Sequence, residues 1–454
     1  MFVLKNLLKD FWISAKKGKK TKKTDDKKKQ SSDLRRLNDE CLYTIFAYCD
    51  VGLLRQLEKV CPRFNDIINR KMYSRCKKLD FIELKNEYKI SIYSSEAKVI
   101  ARKVGAHVNK FKITTIYHCH KYVNIGPEVI PRSILKNLST NLQHLIIAFY
   151  NLKNSADLLN GLYPNLKTLI LIGCHLRDEH FDGLKSATNL RVINLGMQEK
   201  ITGHFLPFLR NMYEVSLSTC HSLQQRYLVE MCVNNPTLRI LNISNCKQID
   251  QEGINYVETL KNLHAVTIGG NLPVVNVKIL TQLPLLNHLA LRCYSVVNYR
   301  EVLEDLARRD QLKFLNVTSY PDPTVLRTVT KFSNLKILKI HNSDLKDCAF
   351  DHEILCKDTL QTLCITNCAN LRSDILLKFV MTCKFLKIID IRQCRNIIGF
   401  AENFLNPFPP RSVPLEILVA QTKLVHDMKV KQHPNMKYIK FNDQQKLLLG
   451  VNTV

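Results

Sequence analysis

The chain has 454 residues, 45% of them apolar and 8% aromatic, enough to bury a large core and too many for wholesale disorder. Lys5, Lys9 and Asp10 interrupt the apolar segment 1–13 and no window reaches a membrane helix's roughly 18 apolar residues, so we expect neither a membrane span nor a secretory signal. Sixteen cysteines are too sparse for a disulfide scaffold; we expect thiols, and a reducing compartment, cytoplasm or nucleus or both.

The formal net charge of +27 is unevenly placed. Residues 1–30 hold eleven Lys against three Asp, with nine of those Lys between Lys16 and Lys29. Such a run repels itself and has nothing apolar to offset the entropy of ordering, so 1–33 is predicted to be a solvated basic tail. A solubilising extension, a nuclear import signal, and an anchor to nucleic acid or a membrane surface are all open readings of it. Leu4, Leu7, Leu8 and Phe11 fall on one helical face ahead of the run.

Residues 34–78 carry three short helical patterns. The first, 38–48, opens on Asn38 with Asp39 and Glu40 in its first turn. The second holds Leu53, Leu54, Leu57, Val60 and Cys61, and Pro62 starts a third through Phe64, Ile67, Ile68 and Tyr73. Three helices in forty residues are too few for an independent core and require something to pack against. Residues 79–141 are less regular. Cys76, Leu79 and Phe81, then Val108, Phe111 and Ile113, imitate repeat strands at intervals of 32 and 34, and are read as irregular capping units.

From 142 to 442 one pattern, L-x-x-L-x-L, recurs. Its first position is filled by Leu142, Leu166, Leu190, Met212, Leu238, Leu263, Leu286, Leu312, Leu335, Leu360, Leu386, Leu415 and Met436, about 24.5 residues apart on average. That is the leucine-rich-repeat period. Alternation of period 2 gives each unit a short strand, and the 3.6 spacing of Leu223, Tyr227, Leu228, Met231 and Cys232, or of Leu371, Ile375, Leu376, Phe379, Val380 and Cys383, gives an amphipathic helix. The fold class expected is α/β: a three-helix module, then a leucine-rich-repeat solenoid with a curved parallel sheet inside and helices outside, ending in a tail at 443–454. Cys174, Cys220, Cys246, Cys368 and Cys394 follow their strands by three residues, which resembles the cysteine-containing class of this repeat. A small side chain with a weak donor suits the turn leaving the strand.

Segment 34–73 resembles an F-box. Leu37, Ile45-Phe46, Tyr48, Leu54, Leu57, Val60-Cys61 and Phe64 meet the family pattern without insertion, while Asn38 stands where the family has Pro and Cys49 where it has Leu. The resemblance implies a substrate receptor of a cullin-based (SCF-type) ubiquitin ligase, delivering a protein for ubiquitination and proteasomal degradation. Leu37, Ile45, Phe46, Leu54, Val60, Cys61 and Phe64 would form an exposed apolar surface for a Skp-type adaptor, and the adaptor would hang from the cullin. The chain itself would catalyse nothing and use no cofactor. A leucine-rich binding scaffold or inhibitor with a degenerate F-box is the alternative. A nucleic-acid binder, marked by steep salt dependence, ranks behind any protein partner.

No Gly-rich phosphate loop, Ser elbow or H-E-x-x-H motif occurs, so we expect no enzyme. His118-Cys119-His120 lacks a second ligand cluster and is not read as a metal site. Solenoids bind on the inner face of the sheet. There His288, Arg292, Phe314, Lys339, His341, Ile388 and Arg392 mix cations with apolar groups, and residues 81–454 carry about +16. We take Arg292, Phe314, Lys339, His341 and Arg392 as the candidate substrate surface, with Phe314 as an aromatic anchor and an acidic or phosphorylated protein as the partner.

Overall fold

A computed structural model describes residues 34–114, 129–152, 154–270, 275–292, 296, 298–318, 325–343, 345, 353–397, 413–419 and 439–442. The basic tail, the His118–His120 triplet, Ala420, Met436 and the C-terminal 443–454 lie outside the described residues. The chain divides into two compact units, residues 1–201 with 208–210, and 202–207 with 211–454.

The first unit opens with helices α1 (Asp39–Phe46), α2 (Val51–Leu57) and α3 (Pro62–Ile67). Each start has a local cause: Asn38 accepts the Cys41 N–H at 2.8 Å, Asp50 accepts that of Leu53 at 2.9 Å, and Pro62 supplies the first-turn φ. Strands β1 (Lys78–Asp80), β2 (Lys110–Thr114), β3 (His144–Ala148), β4 (Thr168–Ile172) and β5 (Val192–Asn194) follow, each parallel to the next. Phe81 does not close a strand, as its spacing suggested. It begins helix α4 (Phe81–Tyr88), because the Asp80 carboxylate caps the amides of Ile82 and Glu83 and turns the chain out of the sheet. Helix α5 (Ser95–Val104), capped by Ser94, completes this irregular first repeat.

The second unit carries β6 (Glu214–Ser216), β7 (Ile240–Asn242), β8 (Ala265–Gly269), β9 (His288–Arg292), β10 (Phe314–Thr318), β11 (Ile337–His341), β12 (Thr362–Thr366), β13 (Ile388–Asp390), β14 (Leu415–Leu418) and β15 (Ile439–Asn442), again parallel and in chain order. This is a leucine-rich-repeat solenoid. In the eleven repeats from Leu142 to Ile391 all three pattern positions are at most 2% exposed. The twelfth is out of step with the spacing: Ile389 pairs with Ile417, so Ile417 and Val419 point inward where Leu418 and Ala420 were expected. Leu415, Ile417 and Val419 share one parity and Glu416 stands on the other, so the alternation agrees with the observed register, and the L-x-x-L-x-L match through Leu418 misplaced it. In β15, Ile439 stands opposite Leu415 and Phe441 opposite Ile417.

The interval between strands decides the outer element. Three 26-residue intervals accommodate the helices Gln225–Asn234, Tyr299–Arg309 and Ser373–Thr382. Intervals of 24 and 23 give the 3-10 segments Asp178–Ser186 and Lys278–Gln282 instead of α-helices. A 3-10 helix rises about 2.0 Å per residue against 1.5 Å, so fewer residues cover the same edge.

The repeat cysteines tie neighbouring units. The thiols of Cys174, Cys246 and Cys394 donate to the carbonyls of Ile147, Leu217 and Ile365, at 3.5, 3.1 and 3.0 Å, in each case the third pattern residue of the preceding repeat. Burial pushes these three thiols up to about 12. Gln198 occupies the same place one repeat after Cys174, donates to the Leu171 carbonyl at 2.6 Å and accepts from the Leu176 amide at 2.9 Å.

Leu338, fully buried between Leu315 and Leu363, and its exposed-face neighbour Lys339 test this register. Leu338→Asp is expected to cost about 3–5 kcal/mol as an unpaired buried charge, and Lys339→Ala less than about 1 kcal/mol; equal urea midpoints for the two would refute the register. At pH 8 an alkylating reagent should modify exposed Cys41 within minutes and leave Cys174, Cys246 and Cys394 intact until the protein unfolds, as read by peptide mass.

Candidate functional site

Two surfaces hold the candidate side chains, the helical module in the first unit and the open sheet face in the second.

The module's interior is built from Leu42, Phe46, Leu53, Leu54, Leu57, Phe64, Ile67 and Ile68, each at most 2% exposed. Phe46 and Phe64 meet edge to face, with centroids 5.1 Å apart. Three of the seven residues proposed for the adaptor, Phe46, Leu54 and Phe64, are therefore inside the module and unavailable at its surface. A forty-residue module has too few apolar side chains to spare its largest ones for a partner. Leu37, Ile45, Val60 and Cys61 are half-buried, and Tyr48 is 61% exposed. Arg63 holds the entry to this surface: it donates to the carbonyls of Arg35 and Leu37 at 3.0 and 2.7 Å and pairs with Asp39.

The support that the module needs comes from the chain itself. Gly52 on α2 lies against the Tyr88 ring of α4 so closely that a Cβ there would fall 2.2 Å from a ring carbon. The Tyr88 hydroxyl donates to Asp50 at 2.8 Å. Glu58, buried after α2, receives hydrogen bonds from the Tyr73 hydroxyl at 2.6 Å and from Lys103 of α5 at 2.9 Å, and pairs with Arg55. The same ammonium lies over the Tyr73 ring and donates to Asn69 at 2.8 Å.

On the open face of β9, β10 and β11, alternate residues are half-buried while those between them are buried. Register aligns His288, Phe314 and Ile337 in one row, Ala290, Asn316, Lys339, Cys364 and Asp390 in the next, and Arg292, Thr318, His341 and Thr366 in a third. Arg392 lies just past β13 and its carbonyl accepts from the Asn367 amide at 3.0 Å. The structure thus brings Arg292, Phe314, Lys339, His341 and Arg392 to one face.

Two of these differ from the expected roles. Phe314 is not an open anchor: His288 stacks on one side of its ring, with centroids 5.6 Å apart and planes 19° from parallel, and the Lys339 ammonium sits 5.4 Å from its centroid on the other. The residues that flank it in the ladder already cover both faces. Arg392 is not a spare cation either, since it grips Asp390 through Nε at 2.8 Å and Nη2 at 2.6 Å. Asp390 was missed because an acid two residues before an Arg is unremarkable until a strand puts both on one face.

His341 is bonded through Nδ1 to the Thr366 hydroxyl. Its pKa is lowered by burial first, then by Lys339, with Arg292 and Arg392 acting the same way against Asp390. The lowering favours the neutral form of the ring. His288 is lowered likewise by burial, Lys313 and His264. Among the described residues no group of three His, Cys, Asp or Glu converges as metal ligands would, and no helix is long and apolar enough to cross a membrane.

No family model matches the chain, and no curated protein matches it in sequence. Solved structures with a similar fold include an internalin from Listeria monocytogenes, 16% identical, covering 72% of this chain and 83% of that one with a TM-score of 0.36. A leucine-rich-repeat protein from Leptospira interrogans is 15% identical over 76% of this chain and 90% of its own, with a TM-score of 0.36. The ectodomain of the Arabidopsis thaliana receptor kinase GASSHO1/SCHENGEN3 is 14% identical over 71% and 40%, with a TM-score of 0.34. At these identities the likeness concerns the repeat fold alone.

Phe46→Asp should unfold the helical module, seen as complete deuteration of amides 39–67 within seconds, while Tyr48→Asp should leave their protection unchanged.

Proposed function

We propose that the chain is a non-catalytic substrate receptor of a cullin-based ubiquitin ligase, acting in the cytoplasm or nucleus. In this reading the helical module docks a Skp-type adaptor, and the open face of the repeats holds a protein for ubiquitination and proteasomal degradation. The observation that carries it is the pairing of two features in one chain: a capped three-helix module with Leu37, Ile45, Tyr48, Val60 and Cys61 at its surface, followed by cysteine-containing leucine-rich repeats. An adaptor covering those side chains would gain about 25 cal/mol for each Å² of apolar surface removed from water. Asn38 supports the same reading, since it starts α1 where the family uses Pro.

A second reading, a binding scaffold or inhibitor with no adaptor, is favoured by the enclosure of Phe46, Leu54 and Phe64, which leaves less apolar surface than the resemblance implied. Capture of purified adaptor separates the two. Under the ligase reading the wild-type chain retains adaptor at low micromolar concentration, and Ile45→Asp combined with Val60→Asp reduces binding at least about 100-fold with an unchanged melting temperature. A wild-type chain that fails to retain any Skp-type adaptor would establish the scaffold reading instead.

A further inference from the structure

The residues that immediately precede the strands of the second unit form a row of their own, along the edge where the chain enters the sheet. On β7, β10, β11 and β13 they are Arg239, Lys313, Lys336 and Lys387, all exposed, with His264, Asn287 and Gln361 between them. From His264 to Lys387 each amide donates to the carbonyl of the row member on the preceding strand, at 2.8 to 3.0 Å, so the ladder fixes their order. At about 4.8 Å per strand the row from Arg239 to Lys387 covers roughly 30 Å. None of its four cations is in an ion pair among the described residues: Arg239 lies over the Tyr213 ring, and Lys387 donates to the Gln361 side-chain oxygen at 3.4 Å. The row holds no acid between Tyr213 and Lys387. In the turns leading into it the acids are Asp310, which accepts from Ser333 and Asn334, and Asp358. At the opposite edge of the sheet cations are matched, Arg372 by Asp374 and Arg392 by Asp390.

Two residues before the row, the repeats use a polar side chain to tie each turn to the one before it. Asn262 donates to the Pro236 carbonyl at 3.1 Å, Gln311 to that of Leu286 at 2.7 Å, Asn334 to that of Asp310 at 2.9 Å and Thr359 to that of Ser333 at 2.7 Å. Leu285 and Phe385 hold the same place in their repeats. Neither side chain can make that bond, and they stand 44% and 46% exposed. The fold therefore asks for a different residue at both positions, and burial does not account for the ones present. The outer segments that lead into two of these turns carry further exposed apolar side chains, Leu355 and Met381. The entry edge thus combines unpaired cations with protruding apolar groups.

We propose that the strand-entry edge of the second unit seats on an anionic lipid surface, with Arg239, Lys313, Lys336 and Lys387 against the headgroups and Leu285 and Phe385 entering the boundary between headgroups and acyl chains. The inference needs neither the adaptor nor the open face. A lipid surface asks for no converging pocket, only for cations and apolar side chains along one edge, and each cation that meets it strengthens binding about 5-fold. The cations here are spread along the row and leave the edge by their own exposure. Single-stranded nucleic acid fits less well: it would use the cations, but Leu285, Leu355 and Met381 offer a base no ring to stack on, and Arg239 already lies over the Tyr213 ring. In sequence, residues 1–30 carry a second such combination, eleven Lys beside Leu4, Leu7, Leu8 and Phe11, and stable peripheral attachment takes two signals.

The test is co-sedimentation of the full-length protein with vesicles of phosphatidylcholine alone or with about 30% phosphatidylserine, in about 0.1 M salt. The anionic vesicles should bind at least about 10-fold more tightly. Lys313→Gln, Lys336→Gln and Lys387→Gln together should weaken that binding about 100-fold, while a control of equal net charge, Lys85→Gln, Lys98→Gln and Lys247→Gln, exposed lysines elsewhere, should weaken it less than about 5-fold. Leu285→Asn with Phe385→Asn, which installs the residue of neighbouring repeats, should cost at least about 5-fold on the vesicles and nothing on a uridine oligonucleotide. The basic tail is common to all these chains, and unchanged melting temperatures show that each is folded. Equal binding by wild type and the first triple variant overturns the proposal, as does an equal loss in the control or full affinity in the asparagine pair. Tighter binding of the oligonucleotide than of anionic vesicles, lost in the first triple variant, overturns it in favour of nucleic acid.

Discussion

No repeat in this chain can bury its own strand. Leu338 is fully enclosed only because Leu315 stands on one side of it and Leu363 on the other, and those residues depend in turn on their own neighbours. Within each unit stability is therefore a nearest-neighbour quantity, a sum over interfaces between repeats. The ends of such an array are its weak points. At the N-terminal end the three-helix module and α4 pack over the start of the sheet, and the Glu58 cluster with the Gly52–Tyr88 contact fixes them there. A module too small to fold alone and a sheet edge in need of cover satisfy each other.

The thiol rungs refine that stacking. A buried S–H reaching a carbonyl on the preceding repeat gives the thiol a partner inside the core and ties the turn after one strand to the end of the strand before it. Gln198 shows that the requirement is for a donor and not for sulfur. Its amide makes the same bond and a second one besides, in a fully buried position where an unpaired amide would be costly.

Much of this could be read from the residues because its cause is local. Period-2 alternation specifies which side chains point inward, and the L-x-x-L-x-L match reads it through eleven repeats; the match fails at Leu415–Val419, where Leu418 drew it off the parity of Leu415, Ile417 and Val419. The helix starts at Asn38 and Pro62 were legible for the same reason. What spacing could not reveal was competition for a residue between roles. Phe46 and Phe64 match a docking pattern, yet the module's own core has the first claim on them. Phe314 has the composition of an anchor, but which residues flank it depends on the pairing of strands 23 to 26 residues apart. Gln198 did carry a signal, three residues beyond the last pattern position, hidden because the motif was sought as cysteine.

Strand register here is set by the ladder and not by the length of chain between strands, so rows on the open face stay aligned although successive repeats differ in length by several residues. Insertions and deletions in the outer segments are consequently silent on the inner rows. Each strand contributes two or three outward-facing letters, and exchanging one letter disturbs neither the core nor the letters two strands away. A lineage could revise the partner of such a protein one strand at a time, keeping the scaffold constant while the text written on it changes.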